Sequence, residues 1–161
     1  MCCLVSSSGK ICLEPVGFVQ TEAVGKEVRD KNVVSKIVFR EELTEALEGV
    51  QEFSHLFVLF WLHKIDGKER KIMKVRPRGR ADMPLLGIFA TRTPLRPNPI
   101  GLTRVKLLNA EGNVVTVQGL DAFDGTPVLD IKPFDSWDTT EAFKVPDWWM
   151  KLEKERTGKK E

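Results

Sequence analysis

Eight short apolar runs follow one another along the chain, each bounded by turn-forming residues and most of them alternating apolar with polar positions. They are "PVGFVQT" (15–21), "NVVSKIVF" (32–39), "FSHLFVLFWL" (53–62), "RKIMKVRP" (70–77), "GIFATR" (87–92), "GLTRVKLL" (101–108), "VVTVQGL" (114–120) and "TPVLDIKPF" (126–134). A period of two puts alternate side chains on opposite faces of a strand. The run 53–62 reads as a buried strand, too short and aromatic to prefer a helix, whereas 70–77 reads as a strand with one wet cationic face. The long helical patterns that parallel sheets need between strands are missing, and no GxGxxG joins a strand to a helix. Many short strands with little helix must hide their edges, and closure does so. The expectation is a mainly β chain: a single-sheeted closed or nearly closed barrel of about six to eight strands with a few short peripheral helices. One helix is expected at "EELTEALEGV" (41–50), with early acids, Leu43, Ala46 and Leu47 on one face and Gly49 as its stop. Another is expected at "VPDWWMKLEKER" (145–156), with Pro146 and Asp147 at its start. "NAEGN" (109–113) reads as a hairpin turn.

At 161 residues and 42% hydrophobic, the chain is long enough for one domain with a real core. The expected organisation is a flexible N-terminus (1–10), a single barrel domain (11–156) and a tail (157–161). No stretch reaches the roughly 18 apolar residues of a membrane span. The opening "MCCLVSSSGK" lacks the basic start and long apolar run of a secretory signal, so the chain reads as cytoplasmic. Cys2, Cys3 and Cys12 are odd in number and lack metal-site spacing, and they read as reduced bystanders.

The net charge of +2 hides a polarised chain. Residues 64–106 carry twelve Lys/Arg against three acids, which points to a phosphate-rich partner. Arg76, Arg78 and Arg80 are the candidate RNA contacts in that segment. Trp137, in "FDSWDTT", is a candidate for stacking on a base.

The stretch "FATRTPLRPNPIGLT" (89–103) places Pro94, Pro97 and Pro99 with Arg92 and Arg96 inside eight residues. Each proline fixes φ and confines the residue before it to extended geometry, so the loop is preset. Preset loops lose less entropy on binding. Arg92 and Arg96 offer planar forks for carboxylate or phosphate, and Asn98 both donates and accepts. In "GLDAFDGTPVLDIKP" (119–133), Asp124 and Gly125 make a turn that presents a carboxylate beside backbone amides, suited to ribose hydroxyls or an amino group. A second reading of the same stretch gathers Asp121, Asp124 and Asp130 around magnesium, as in a small metal-dependent hydrolase. Of the two histidines, His55 sits inside an apolar run and reads as a core residue, while His63 and Lys64 end a strand where a rim would expose them.

Together "GFVQT", "EFSHLFVLFWLHK", "GIFATRTPLRPNPIGLT" and "GLDAFDGTPVLDIKPF" resemble the tRNA methyltransferase O family, in order from about residue 15 to residue 136. The resemblance implies a β-barrel that binds S-adenosyl-L-methionine without a Rossmann fold. It also implies a homodimer that N6-methylates threonylcarbamoyl-adenosine beside the tRNA anticodon, with no metal. By the same resemblance, cofactor contacts fall on His63, Lys64, Arg92, Leu102, Asp124, Gly125, Thr126 and Pro127. Arg96 and Asn98 become the catalytic candidates, orienting the modified base or its carboxylate. The loop "AVGKEVRDKNVV" departs from the family pattern and receives no cofactor contact; bacterial members also continue into a further C-terminal region. A non-catalytic RNA-binding barrel is the competing class, and it predicts tRNA binding without a cofactor site.

Overall fold

A computed structural model describes residues 11–158. The expectations for residues 1–10, with Cys2 and Cys3, and for residues 159–161 of the tail lie outside the described residues. In chain order the strands are β1 (Gly17–Gln20), β2 (Val34–Phe39), β3 (His55–Trp61), β4 (Lys74–Val75), β5 (Leu86–Gly87), β6 (Ile100–Glu111), β7 (Val114–Gln118) and β8 (Pro127–Pro133). Six of them close a barrel in the order β1-β2-β7-β6-β3-β8, every neighbouring pair antiparallel. The barrel expected from the period-two runs is therefore present.

Closure needs one face of each strand to be apolar, and the sequence supplies it. Val19, Ile37, Phe39, Leu56, Val58, Phe60, Val105, Val115, Val117 and Val128 fill the interior, joined by Leu47, Leu120 and Ala122 from the connections. β3 buries one face fully. Leu56, Val58 and Phe60 point inward, whereas His55, Phe57, Leu59 and Trp61 lie half-buried on the outer face. Between β6 and β7 the chain reverses at Gly112, whose φ of 55° favours glycine.

The register fixes which loops share an end of the barrel. Trp61 pairs with Ile100, Phe60 with Val128, and Phe18 with Pro127. The ends of β1 and β3 thus meet the beginnings of β6 and β8 at one rim. The proline-rich stretch enters β6 there, and the Asp-Gly turn enters β8 there.

Three expectations are corrected. Of residues 70–77, only Lys74–Val75 form a strand. Asp66 accepts the amides of Lys68 and Glu69, each at 2.8 Å, and opens a 3-10 turn over Glu69–Lys71. Pro77 and the left-handed Arg78 (φ 55°) then end the extended segment, leaving the two residues of β4 to pair with β5. Ile72 and Met73 are both exposed, so the alternation there marks no buried face. "GIFATR" likewise gives only the end of β5 and a 3-10 turn over Ile88–Ala90. Residues 41–50 form a 3-10 helix over Glu41–Leu47 with Gly49 at φ 83°, and Leu47 is its buried contact. The terminal helix expected at 145–156 is present as α1, Asp147–Thr157, with Pro146 as its N-cap.

Candidate active site at the barrel rim

The proline-rich elbow is tied at both ends. The carbonyl of buried Pro99 accepts the Leu62 N–H at 2.7 Å, just beyond the end of β3, and the Asn98 carbonyl accepts the Ile100 N–H at 2.8 Å. At the other end Thr91 donates its hydroxyl to the Ile88 carbonyl at 2.9 Å. Arg96 spans the elbow: its guanidinium donates to the carbonyls of Thr91 (3.1 Å) and Ile88 (3.4 Å) and lies over the Phe89 ring at 5.4 Å. The fork expected to face a ligand thus donates into its own loop, where the Ile88 carbonyl also accepts the Thr91 N–H at 3.1 Å. Arg92 and Asn98 are exposed, and their side chains make no hydrogen bond or ion pair among the described residues.

The Asp124-Gly125-Thr126-Pro127 turn is built against β1. Gly125, at φ 70°, donates its N–H to the Val19 carbonyl at 2.8 Å, and the Thr126 carbonyl accepts the Val19 N–H at 3.0 Å. Asp124 accepts the Thr21 N–H through Oδ1 at 3.0 Å. His63 then bridges to this turn, its Nδ1 lying 3.4 Å from the Oγ1 of buried Thr126. The Lys64 ammonium sits 3.8 Å from the centre of the Phe123 ring. Consecutive residues after β3 thus hold both segments: Leu62 grips the elbow and His63 grips the turn. Leu102, on the outer face of β6 beside that rim, is 59% exposed. Sequence reasoning missed Thr21 and Phe123, whose partners are distant in the chain. The turn signature after residue 20 and the DAFDG spacing were the signals available for them.

The magnesium reading loses its centre. Asp130 pairs with Lys132 at 2.8 Å, Asp124 holds the Thr21 amide, and among the described residues no three His, Cys, Asp or Glu side chains gather as metal ligands. Trp137 stands apart from the rim, beyond the other end of β8, on a 3-10 turn closed by a reciprocal Asp135–Asp138 capping box. It is 94% exposed.

Of the three arginines expected at RNA, Arg78 is exposed, while Arg76 donates to the Met83 carbonyl. Arg80 is bound to Asp82 at 2.7 Å and to Glu155 of α1, and Lys151 of α1 reaches Asp82 at 2.8 Å. Arg80 therefore fastens the terminal helix to the segment after β4. Its hydrogen bonds to Asp82 and Glu155 raise the guanidinium pKa further, and those bonds hold both carboxyls below the usual carboxylate range. Because these carboxyls titrate lower when folded than unfolded, the clamp is complete above about pH 4 and weakens as the pH falls below that. Hydrogen exchange of the α1 amides should accelerate at pH 3 relative to the rest of the barrel. Asp82→Asn should show that faster exchange already at pH 7; equal α1 protection in both proteins at pH 7 would remove the clamp.

The profile described as "tRNA-methyltransferase O N-terminal domain" matches residues 19–138. A protein of Methanothermobacter thermautotrophicus named "Probable S-adenosyl-L-methionine-binding protein" is 41% identical over 133 residues, covering 80% of this chain and 93% of that protein. The mouse "tRNA (adenine(37)-N6)-methyltransferase" is 37% identical over 138 residues, covering 79% of this chain but 31% of the mouse protein. Among solved structures, "Crystal structure of TrmO" superposes with a TM-score of 0.68 at 30% identity, covering 86% of this chain and 64% of that one. The chain thus spans just under two thirds of that structure and nearly the whole of the archaeal relative. With the barrel, the elbow and the Asp-Gly turn arranged as described, this chain belongs to the tRNA methyltransferase O family, through its N-terminal domain.

Proposed function

We propose that this chain is an S-adenosyl-L-methionine-dependent tRNA methyltransferase acting on the N6 nitrogen of adenosine, with threonylcarbamoyl-adenosine beside the anticodon as its substrate. The observation that carries this reading is the junction at the end of β3, where Leu62 and His63 bind the elbow and the turn to each other's side of one rim.

The residues at that rim suit the cofactor's chemistry. Asp124 uses one carboxylate oxygen for Thr21, which leaves the other for ribose hydroxyls. Lys64 and the exposed Arg92 supply cations for a carboxylate, and Leu102 supplies an apolar wall. His63, Gly125, Thr126 and Pro127 shape the turn between them. Bound there, S-adenosyl-L-methionine supplies an electrophilic methyl group on a sulfonium centre.

The chain's own work is alignment and charge. Holding donor and acceptor in line can contribute about 7–11 kcal/mol in favourable cases. The acceptor nitrogen shares its lone pair with a carbonyl, so its reactivity rises when negative charge on that oxygen is stabilised. The Asn98 carboxamide is the free donor for this. Arg96 holds the elbow in place. A homodimer and a cytoplasmic location complete the proposal by analogy with the family.

Calorimetry tests the cofactor site. Asp124→Asn keeps an acceptor for the Thr21 amide but removes the charge, so S-adenosyl-L-methionine should bind about tenfold to a hundredfold more weakly. Equal affinity in both proteins would move the site elsewhere. The substrate is tested by mass spectrometry of tRNA nucleosides: a deletion strain should lack the methylated threonylcarbamoyl-adenosine, and the wild-type gene should restore it.

A further inference from the structure

β6 leaves the elbow at Ile100 and presents Ile100, Leu102, Arg104, Lys106 and Leu108 in turn on the outside of the barrel, while Gly101, Thr103, Val105 and Leu107 face inward. The outer face changes character along its length. Near the elbow it is apolar, where Trp61 pairs with Ile100 and Leu59 with Leu102. Two residues further it becomes cationic: Phe57 lies between Arg104 on β6 and Lys132 on β8, and His55 lies beside Lys106. Across β7, Lys106 pairs with Gln118, and Lys36 on β2 stands one outer-face position along, opposite Thr116.

Three of these cations are free of acids. Arg104 stacks over the Phe134 ring at 4.8 Å, which fixes its fork without neutralising it. Among the described residues, Arg104, Lys106 and Lys36 make no ion pair. Lys132 is compensated by Asp130. Arg104 and Lys106 stand about 6.8 Å apart along the strand, two residues of antiparallel rise. Cations spaced along a groove or strand, interleaved with aromatic side chains, are the footprint of nucleic acid rather than of a carboxylate ligand. At the far rim, where β3 begins, Glu48 and Glu52 line a groove with Leu56, Ile131 and Pro133. Of the arginines expected at RNA from the sequence, Arg76 and Arg80 are spent on internal contacts.

We propose that this outer face of β3, β6, β7 and β2, continuous with the elbow, is the track for the phosphate backbone of the tRNA, with Arg104, Lys106 and Lys36 as its cations. The assignment rests on the tRNA reading above. Direction follows from it: the strand leaves the elbow along β6 toward the far rim, where Glu48 and Glu52 carry the opposite charge.

The test is the triple variant Lys36→Ala/Arg104→Ala/Lys106→Ala, measured with a tRNA carrying threonylcarbamoyl-adenosine across a salt series. Losing three phosphate contacts should lower the slope of log affinity against log salt by about 2–3 and weaken binding roughly a hundredfold at 0.1 M salt. S-adenosyl-L-methionine binding and melting temperature should stay at wild-type values, which separates a lost track from a lost fold. An unchanged slope overturns the track. So does a variant whose oligomeric state changes while its tRNA slope does not, since the band would then be a protein interface. If the wild type itself binds no S-adenosyl-L-methionine, the methyltransferase reading fails, whatever the slope. If it binds both ligands and the triple variant keeps its slope, the track alone fails.

Discussion

Replacing Phe60 with alanine should lower the unfolding free energy by about 3–5 kcal/mol. Phe60 is 3% exposed and its ring fills the barrel beneath the point where β6 begins. At this chain length the loss corresponds to a fall of roughly 6–20 °C in melting temperature. The ring fits because its neighbour is Gly101. A Cβ at position 101 would stand 2.4 Å from the ring carbons, a contact that neither the closed barrel nor the buried ring can relieve without shifting. Gly101→Ala should therefore cost about 1–3 kcal/mol by overpacking. The two changes act on one space, so the double variant should lose less than the sum of the singles, by more than about 0.5 kcal/mol. Urea denaturation of the four proteins measures this; strict additivity would place ring and glycine out of contact.

Asn98→Ala should lower kcat by about a hundredfold to a thousandfold, the usual loss on removing one preorganised donor from a developing negative charge. kcat and kcat/KM should fall together, because the interaction is made in the transition state. The melting temperature should not move, since the exposed side chain has no hydrogen bond among the described residues to lose. Arg96→Ala is the contrast. It removes the brace between Ile88, Thr91 and the Phe89 ring, so it should loosen the elbow and raise KM as well as lower kcat. Steady-state kinetics on modified tRNA, beside thermal melts, separates the two roles. An Asn98→Ala protein with wild-type kcat would remove the carboxamide from the reaction.

The barrel was legible because its strands obey a simple rule. β1, β2 and β7 each bury one face, and the pleat converts that into alternation a reader can count. β4 and β5 were not legible for the same reason. They lie outside the barrel, neither face meets the core, and the alternation of Lys, Arg, Ile and Met at 70–77 records no burial. In the site, stiffness was legible and partnership was not. Three prolines announce a fixed elbow, but only coordinates show the Pro99 carbonyl meeting Leu62. Charge shows in a sequence, whereas its compensation does not: Glu155 lies 75 residues from Arg80, and Thr21 lies 103 residues from Asp124. The sequence offers Arg80 and Arg96 as ligand contacts, and in the structure each also holds the protein to itself.

The central claim is that the elbow and the Asp-Gly turn form a single binding surface for one small molecule. Amide chemical shifts recorded while S-adenosyl-L-methionine is titrated into the uniformly labelled protein address it residue by residue. The account expects Arg92, Asn98, His63, Lys64, Asp124 and Gly125 to shift together along one saturation curve. Shifts confined to one of the two segments would contradict it. So would shifts at the groove of about 430 Å³ at the far rim, lined by Val50, Phe53, Leu56, Ile131 and Pro133.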